Sequence, residues 1–486
     1  MGKFFSRFLL LLLVTIVSLI IYLSYFGINT DKFDDLIKNK ANEVNQNVEL
    51  EFQKTKIHLN IKELNLVVKL QNSKVLIRGN AIDLSKLDLF LSLKSIFSSD
   101  FLLKRAEVAF IENDIKDLTK IANIFLPKLI NKKLNKIFAK GNIRGEFIIP
   151  FETDGSIGKD YGFTGKISDA SINLTKEFSI KNLTTEIRDL EYSEAKGFEV
   201  IIKKGFMYDL DLADTTINLR REKNEIKIKS LLRTNGKLNF SQIKIISSLF
   251  GLNIDNLRDI NGTADLKTNI NFDLDKQFKV KNLSYSTEGD VAYVEIHTEE
   301  RRTIKKYLPE YDPKIILKDT NIKLINSKSN NTLELNGFIK IKNNFDSFKI
   351  KEVYNYDKKS FYVNGVIDLT NSKVKVSRLN YNKDHGKISE ISFDVNFVLN
   401  KYYNIESLHF LADKNKIHLS NIKLNKNFEV IDFKKLEIKT FLNEIKNNDF
   451  LVKKLEKVTI SGEVFDAQPL LKSLYKTSDK KTFDKN

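Results

Sequence analysis

An uncharged, apolar run of about 21 residues, from Phe8 to Ile28, constrains this chain more than any other feature. About 20 apolar residues in a helix cross the hydrocarbon core of a bilayer. Lys3 and Arg7 precede the run, and several aspartates follow it. Since positively charged flanks stay in the cytoplasm, we expect the remaining chain to lie on the far side of the membrane.

A cleaved secretory signal is the alternative reading of this run. The run is longer than the usual ~7–15-residue core of a signal, and no Ala-x-Ala-like site follows it. It ends with aromatic residues that suit a membrane interface. We therefore expect an uncleaved anchor over residues 1–29. Its membrane-facing residues would include Phe8, Leu12, Ile16, Ile20, Tyr22 and Tyr25.

The composition narrows the possible chemistry. The chain has no Cys, which excludes disulfides, thiolate metal sites and Cys nucleophiles. Its five His residues include no pair at metal-ligand spacing, and the P-loop and Gly-x-Ser-x-Gly motifs are missing. We expect a protein that is not an enzyme and needs no metal or cofactor. A membrane-tethered enzyme whose site matches no known motif remains an alternative.

The formal net charge of +17 could indicate nucleic-acid binding. Lys, however, alternates with apolar residues through most of the chain, as it does on the solvated face of strands. No tight Arg cluster with interleaved aromatic residues appears. We therefore expect no nucleic-acid partner.

After the anchor the apolar pattern predicts a few helices and many strands. Helical spacing appears over residues 33–44, from Asp114 to Ala139, and from Ser241 to Phe250. The segment from Thr215 to Lys229 predicts a hairpin with one apolar and one solvated face. Asp273 and Asp275 fit a turn rather than a catalytic pair.

A looser pattern, apolar-x-apolar-x-x-apolar-x-apolar, recurs along the chain. It begins at Phe278, Val374, Tyr403 and Ile431, and the last three copies start 29 and 28 residues apart. The segment from Phe178 to Leu183 closely matches the first part of the Phe278 copy. A skipped position reverses the side-chain parity of a strand unless a bulge absorbs it, and a bulge bends the strand. Bulges at similar places in successive strands would curl the sheet. Chance similarity in an Ile- and Lys-rich chain is the alternative.

These patterns predict a mainly β fold. An N-terminal transmembrane helix would precede an elongated, curled antiparallel sheet, a β-groove, with a few short helices. We divide the chain into the anchor (1–29), an N-terminal α/β region (30–140), a repetitive groove region (141–470) and a polar, disordered tail (471–486).

The order of anchor, short helix and many short strands resembles the AsmA-like family of envelope proteins, which includes the YhdP and TamB types. Supporting segments are Ile82-Asp-Leu84-Ser-Lys-Leu87, Gly165-Lys-Ile-Ser-Asp169-Ala170, and Gly462-Glu-Val-Phe-Asp466-Ala467-Gln-Pro469. The last two are similar to the YhdP branch, whose chains are much longer. This chain would be a short member or the N-terminal part of a split system. The resemblance implies a single-pass inner-membrane protein with its bulk in the periplasm.

The resemblance also implies an apolar groove that carries phospholipids between inner and outer membranes. The partners would be the inner membrane, phospholipid acyl chains, and a downstream AsmA-like or outer-membrane protein. The residues expected to line the groove are Ile217, Leu219, Ile226, Ile228, Ile270, Phe272, Phe278, Val280, Val374 and Val376. We expect Ile228→Arg to block lipid passage without unfolding the chain. The second hypothesis is an envelope assembly factor that binds proteins through exposed strand edges.

Overall fold

A computed structural model describes most of the chain. The described residues are 2–44, 48–77, 80–96, 102–119, 137–156, 158, 161–173, 178–191, 196–222, 225–249, 257–277, 279–300, 302–341, 344–399, 401–427 and 429–472. The fold is mainly β, as predicted, with a large curled antiparallel sheet and few short helices. Four of the described helices are α1 (Gly2–Tyr25), α2 (Asp34–Val44), α3 (Phe240–Leu249) and α4 (Arg302–Tyr307).

Helix α1 contains the predicted anchor. Its window Phe8–Tyr25 has a mean hydropathy of 2.6, and none of it is buried in the protein. The helix is therefore long and apolar enough to cross a membrane. The six expected membrane-facing residues are exposed: Phe8, Leu12, Ile16, Ile20, Tyr22 and Tyr25.

The anchor runs into the sheet with hardly any linker. The amide of Gly27 donates to the carbonyl of Tyr22 at 3.2 Å, and Gly27 has a φ of 65°, as glycine often does just past a helix end. A Cβ at Gly27 would lie 2.6 Å from the carbonyl oxygen of Ile57. The next residue, Ile28, already pairs with Ile57 in the sheet. The end of α1 is therefore fixed against its first neighbouring strand.

The chain divides into two compact units. Unit 1 comprises Met1–Met207, Leu212–Lys229 and Asp273–Val280. Its strands are β1 (Ile28–Asn29), β2 (Val48–Glu51), β3 (Lys54–Asn60), β4 (Asn65–Gln71), β5 (Lys74–Ile77), β6 (Asn80–Ser92), β7 (Leu103–Asp114), β8 (Phe138–Pro150), β9 (Gly162–Asn173), β10 (Ser179–Glu191), β11 (Lys196–Met207) and β13 (Thr216–Arg221). They pair antiparallel in the order β1-β3-β4-β6-β7-β8-β9-β10-β11-β13, and β2 and β5 extend β6 separately.

Helix α2 closes the core of unit 1. Ile37 packs on Val68 of β4 and Leu91 of β6, all at most 3% exposed. The hydroxyl of Thr55 on β3 donates to the Asp34 carboxylate at 2.5 Å, in the first turn of the helix. An acid there also interacts favourably with the helix dipole. This part of the sheet is thus a conventional two-layer core.

Unit 2 comprises Tyr208–Asp211, Ser230–Phe272 and Lys281–Asn486. Its strands are β12 (Asp209–Asp211), β17 (Lys314–Asn326), β18 (Asn330–Lys340), β19 (Phe345–Asn355), β20 (Ser360–Asp368), β21 (Val374–Val376), β22 (Tyr381–Lys383), β23 (Ser389–Val398), β24 (Tyr402–Ala412), β25 (Asn415–Asn425), β26 (Val430–Asp432), β27 (Lys435–Leu442), β28 (Ile445–Lys454) and β29 (Val458–Val464). Three further strands have residues in both units: β14 (Glu225–Leu238), β15 (Leu257–Asp275) and β16 (Val280–Thr298).

The strands of unit 2 form a long meander. Antiparallel pairing runs in the order β16-β17-β18-β19-β20-β23-β24-β25-β27-β28-β29. The β21–β22 hairpin leaves this sheet and packs back on it. We call residues 369–389 the cap lobe.

Bulges occur where the skipped position of the repeat predicts them. In β10, Lys181 pairs with Phe206 but Thr184 pairs with Lys204, so the register shifts by one residue here, and it shifts back between Thr184 and Thr185. Asn182 lies there with a φ of 51°, the left-handed conformation that Asn tolerates better than most residues. In β24 the pairing with β23 shifts between Ile405 and Ser407, inside the Tyr403 copy of the pattern.

One other copy of the repeat is wrong. The Val374 copy spans β21, a 3₁₀ turn and β22, so it is a short hairpin and not a strand of the sheet. The Ile431 copy is interrupted between β26 and β27, near the skipped position, and both strands pair with β25. A regular interval in the sequence therefore did not always mean one repeated strand unit.

Other boundaries also differ from the sequence-based division. The third predicted helix is confirmed by α3. Of the second predicted helix, Asp114 ends β7, residues 115–119 are helical, and residues 120–136 lie outside the described residues. Because β8 pairs directly with β7, residue 140 is no boundary, and the two units divide inside the predicted groove region. Residues 473–486 of the predicted tail lie outside the described residues.

The bulge in β10 gives a testable prediction. Replacing Asn182 with Val should lower the free energy of unfolding by about 1–2 kcal/mol, because a β-branched residue is strained at positive φ. Asn182→Gly should be neutral within about 0.5 kcal/mol, since glycine adopts this conformation freely. Denaturant unfolding of the detergent-solubilised full chain measures both. Equal effects of Val and Gly would contradict the bulge.

Candidate functional site: an open apolar face

A row of mostly apolar residues crosses ten consecutive strands of unit 2 in register. We call it the central row. Each residue is the direct cross-strand partner of the next, from β17 to β29. Its members are Ile322, Leu335, Ile350, Gly365, Phe393, Leu408, Leu419, Leu436, Val452 and Ile460. With strands about 4.8 Å apart, the row is about 43 Å long.

A polar row runs beside it on the opposite face of the same strands. Its members are Lys323, Glu334, Lys351, Asn364, Asp394, Ser407, Ser420, Lys435, Lys453 and Thr459. Lys351 forms an ion pair with Glu334 at 2.8 Å, and the hydroxyl of Ser407 donates to Asp394 at 2.7 Å. Lys323 and Lys351 are exposed, whereas Ile322 and Ile350 are half-buried. The sheet therefore has one apolar and one solvated face.

The cap lobe closes one end of the apolar face. Here Phe410 of β24 and Ile417 of β25 are buried beneath Val374 and Tyr381 of the lobe, and Leu308 joins them. The ammonium of Lys383, 2% exposed, donates to the carbonyls of Thr370, Asp384 and Lys387. Burial lowers the pKa of Lys383 below its ordinary value. The lobe is thus a satisfied, compact piece of structure.

Aromatic rings line the other end of the face. Tyr354, Phe361, Phe397 and Tyr403 are cross-strand partners on β19, β20, β23 and β24. Their ring centroids are 4.6, 5.0 and 5.5 Å apart in succession. We call these four residues the aromatic rim. Such rings present an apolar body, and tyrosine adds a polar tip, which suits a boundary between apolar matter and water.

Between these ends the face has no second layer among the described residues. Strands β17 to β20 pack mainly against their neighbours in the sheet, and Leu419 is the member of the central row that packs in the cluster under the cap lobe. Leu335, Ile350 and Phe393 are half-buried by their in-sheet neighbours. A contiguous apolar surface of this kind in a folded chain marks a place where something apolar binds.

One ionisable side chain interrupts the open part of the face. Glu352 of β19 is directly paired with Leu333 and Val363, and it lies on the same side as Ile350 and Tyr354. Burial alone raises its pKa above the ordinary value. Among the described residues, none forms an ion pair or hydrogen bond with its carboxylate. No sequence motif marks Glu352. The one signal in the sequence is that Glu352 is two residues from Ile350 and so lies on the same face of the strand.

Unit 1 has an apolar row of its own. Phe110, Gly145, Gly165, Ile187, Val200 and Ile217 are successive partners on β7, β8, β9, β10, β11 and β13. Phe163 packs between Phe110 and Phe147, and a Cβ at Gly145 would lie 2.6 Å from its ring. The two glycines therefore make room for rings on this face.

The predicted lining residues have different surroundings. Ile217 and Leu219 lie on the apolar side of β13, opposite Val200 and Phe198. Ile226, Ile270, Phe272 and Val376 are half-buried. Phe278 lies outside the described residues.

Val374, Val376 and Ile228 need correction as lining residues, and Val280 lies at a strand end. Val374 is 6% exposed and belongs to the core under the cap lobe, with Val376 packed against it, so the pair supports the lobe and lines no open track. Val280 is 55% exposed at the start of β16. Ile228 is 8% exposed, so an arginine there would test folding more than lipid passage.

Two further polar features lie on the solvated face of unit 2. His409 and His418 stack at 3.8 Å on the solvated face, and burial followed by the charge of His409 lowers the pKa of His418. Within the described part of the chain, no group of three His, Asp or Glu could hold a metal ion. A recess of about 650 Å³ lies along the polar row, lined among others by Lys349 and Lys351.

No protein-family profile, curated protein or solved structure matches this chain.

The open and capped parts of the face should differ in access. Since the chain has no Cys, single cysteines can be labelled one at a time. Leu408→Cys should react with N-ethylmaleimide at least about tenfold faster than Ala412→Cys, because Ala412 is 2% exposed under the lobe and must wait for local opening. Mass spectrometry of the detergent-solubilised full chain follows labelling. Equal rates would mean that the face is covered throughout.

The raised pKa of Glu352 predicts a pH effect on stability. The folded state holds the Glu352 proton more tightly than the unfolded state, so this group costs stability as the pH rises through its raised pKa. Glu352→Gln should therefore raise the melting temperature at pH 7, and the difference should vanish below the ordinary glutamate value of 4.5.

Glu334→Gln on the polar face is the matched control. A hydrogen bond from Lys351 lowers the pKa of Glu334, so this substitution should slightly lower the melting temperature at pH 7. The same sign for both variants would refute the account of Glu352.

Proposed function

We propose that this chain is a membrane-anchored, non-enzymatic protein whose apolar face binds the acyl chains of phospholipids. The observation that carries the proposal is the central row, in which apolar partners continue across ten strands with a polar row behind them. Covering each methylene of an acyl chain stabilises the complex by about 0.8 kcal/mol. One leaflet of hydrocarbon is about 15 Å thick, so a 43 Å row exceeds one acyl chain in length.

The anchor supports a role at a membrane. Helix α1 is apolar enough to cross a bilayer, and Gly27 joins it to β1 of unit 1 with hardly any linker. In our proposal the helix lies in the inner membrane and the sheet lies in the periplasm, as the resemblance to AsmA-like proteins implies. Lipid tails would move along the apolar face while headgroups stay in water, towards the outer membrane.

A second candidate function is favoured by strand β29. It pairs with β28 on one side, and all seven of its residues are exposed, including Ile460 at 74%. An edge strand with exposed backbone groups can add a strand from another protein. This favours an assembly factor that binds a protein partner, and the experiment below separates it from the lipid proposal.

A charge placed on either face of one strand tests the proposal. Phe393→Asp puts a carboxylate in the central row, where an aspartate in hydrocarbon costs about 2.5–3.5 kcal/mol. Ser392→Asp puts the same charge on the solvated face one residue away. Native mass spectrometry of the detergent-solubilised full chain should show bound phospholipid in the wild type and in Ser392→Asp, and roughly tenfold less in Phe393→Asp.

Circular dichroism and a melting curve check that both aspartate variants fold. If Phe393→Asp does not fold, Phe393→Leu serves as the variant that keeps an apolar side chain at this position. A wild-type chain that carries a protein partner and no lipid would refute lipid binding in favour of the assembly factor. Equal lipid in both aspartate variants would show that the central row is not the binding surface.

A further inference from the structure

We propose that Glu352, together with the aromatic rim, is a headgroup site for a lipid that carries an ammonium group. The inference rests on the proposed function and adds the class of lipid that this face prefers. Glu352 lies between the central row, which would hold the tails, and the rim, where headgroups would meet water.

The Glu352 carboxylate lies near the ends of its strand and of the neighbouring strand. Glu352 is three residues from Asn355, the last residue of β19, and its partner Val363 is three residues from Ser360, the first of β20. Tyr354 lies between Glu352 and that strand end on the same face, and Phe361 is its partner. Glu352 therefore adjoins the open edge of the face and not its capped end.

Asp346, on the same strand and face as Glu352, has partners within the protein. Asp346 is 2% exposed, and its carboxylate accepts hydrogen bonds from the Asn371 amide at 3.1 Å and the Ser372 hydroxyl at 2.9 Å. The cap lobe thus satisfies that acid within the protein. For Glu352 the surrounding side chains are Leu333, Leu335 and Asn331 on β18, Val363, Gly365 and Phe361 on β20, and Ile350 and Tyr354 on β19. Tyr354 is the one other titratable group in this set, and no cation is present in it.

A bound lipid would change the solvation of the Glu352 carboxylate. Acyl chains lying over Leu335 and Ile350 would remove water from the neighbouring Glu352 carboxylate. A carboxylate that loses water without a partner is strongly disfavoured. An ammonium group would restore a charge partner, and the ring faces of Tyr354 and Phe361 attract cations as well. Carboxylate and aromatic rings together are the chemistry that recognises ethanolamine and choline headgroups.

The test compares three phospholipids with identical oleoyl chains and the headgroups ethanolamine, choline and glycerol. Native mass spectrometry of the full chain with an equimolar mixture measures how much of each is bound. We expect the two ammonium lipids to exceed phosphatidylglycerol by about tenfold, the scale of one charge-assisted contact. In Glu352→Gln the ratio should fall to near one, and in Glu352→Lys it should favour phosphatidylglycerol. Glu334→Gln, an acid on the opposite face, should keep the wild-type ratio.

Each outcome bears on one claim. Bound lipid without headgroup preference in the wild type would refute the headgroup site while leaving lipid binding intact. If Glu352→Gln increases the amount bound of all three lipids equally, the carboxylate merely opposes lipid binding and recognises no headgroup. That result would overturn the proposal. No bound lipid of any kind would instead refute the proposed function.

Discussion

The cross-strand register of the apolar side chains determines which face of the unit 2 sheet is apolar. Side chains alternate between the faces of a strand, so a shift of one residue would move a whole set of apolar groups into the polar row. Ten strands of unit 2 keep the register from Ile322 to Ile460. Where parity changes within a strand, as at Ile405 and Leu408, a bulge absorbs the extra residue. The face stays apolar because the bulges preserve the row.

One end of the apolar face is closed and the other is open. At one end the cap lobe buries Phe410 and Ile417 and satisfies Asp346 and Lys383 with internal hydrogen bonds. At the other end the aromatic rim borders water, and Glu352 lies just inside it. A conventional core, like that under α2 in unit 1, would have closed both ends. The open end is where a lipid would enter or leave in our proposal.

Much of the fold could be predicted from local pattern. The anchor, α3, the antiparallel strands and the bulge near Asn182 all follow from spacing within a short segment. The failures came from information that a single segment does not hold. Val374 and Val376 have the same alternation as a sheet strand, but whether a hairpin lies in the sheet or on it depends on distant Phe410 and Ile417.

The candidate site was less predictable than the fold. Ile217 and Leu219 could be assigned to one face of a strand because their alternation lies within a short segment. The central row, in contrast, joins residues up to 138 positions apart, from 322 to 460. Predicting this register from the sequence would require the length of every turn between the ten strands. Glu352 sits among lysines and reads as one more solvated residue until its partners Leu333 and Val363 are known.

A photoreactive side chain placed on each face of the unit 2 sheet distinguishes a surface that holds lipid from one that does not. A photo-crosslinking residue at Ile350 in the central row should, when the full chain is illuminated in its native membrane, acquire the mass of a phospholipid. The same residue at Lys351, which points to the opposite face, should acquire none. Lipid adducts at both positions, or a protein adduct and no lipid at Ile350, would contradict the account.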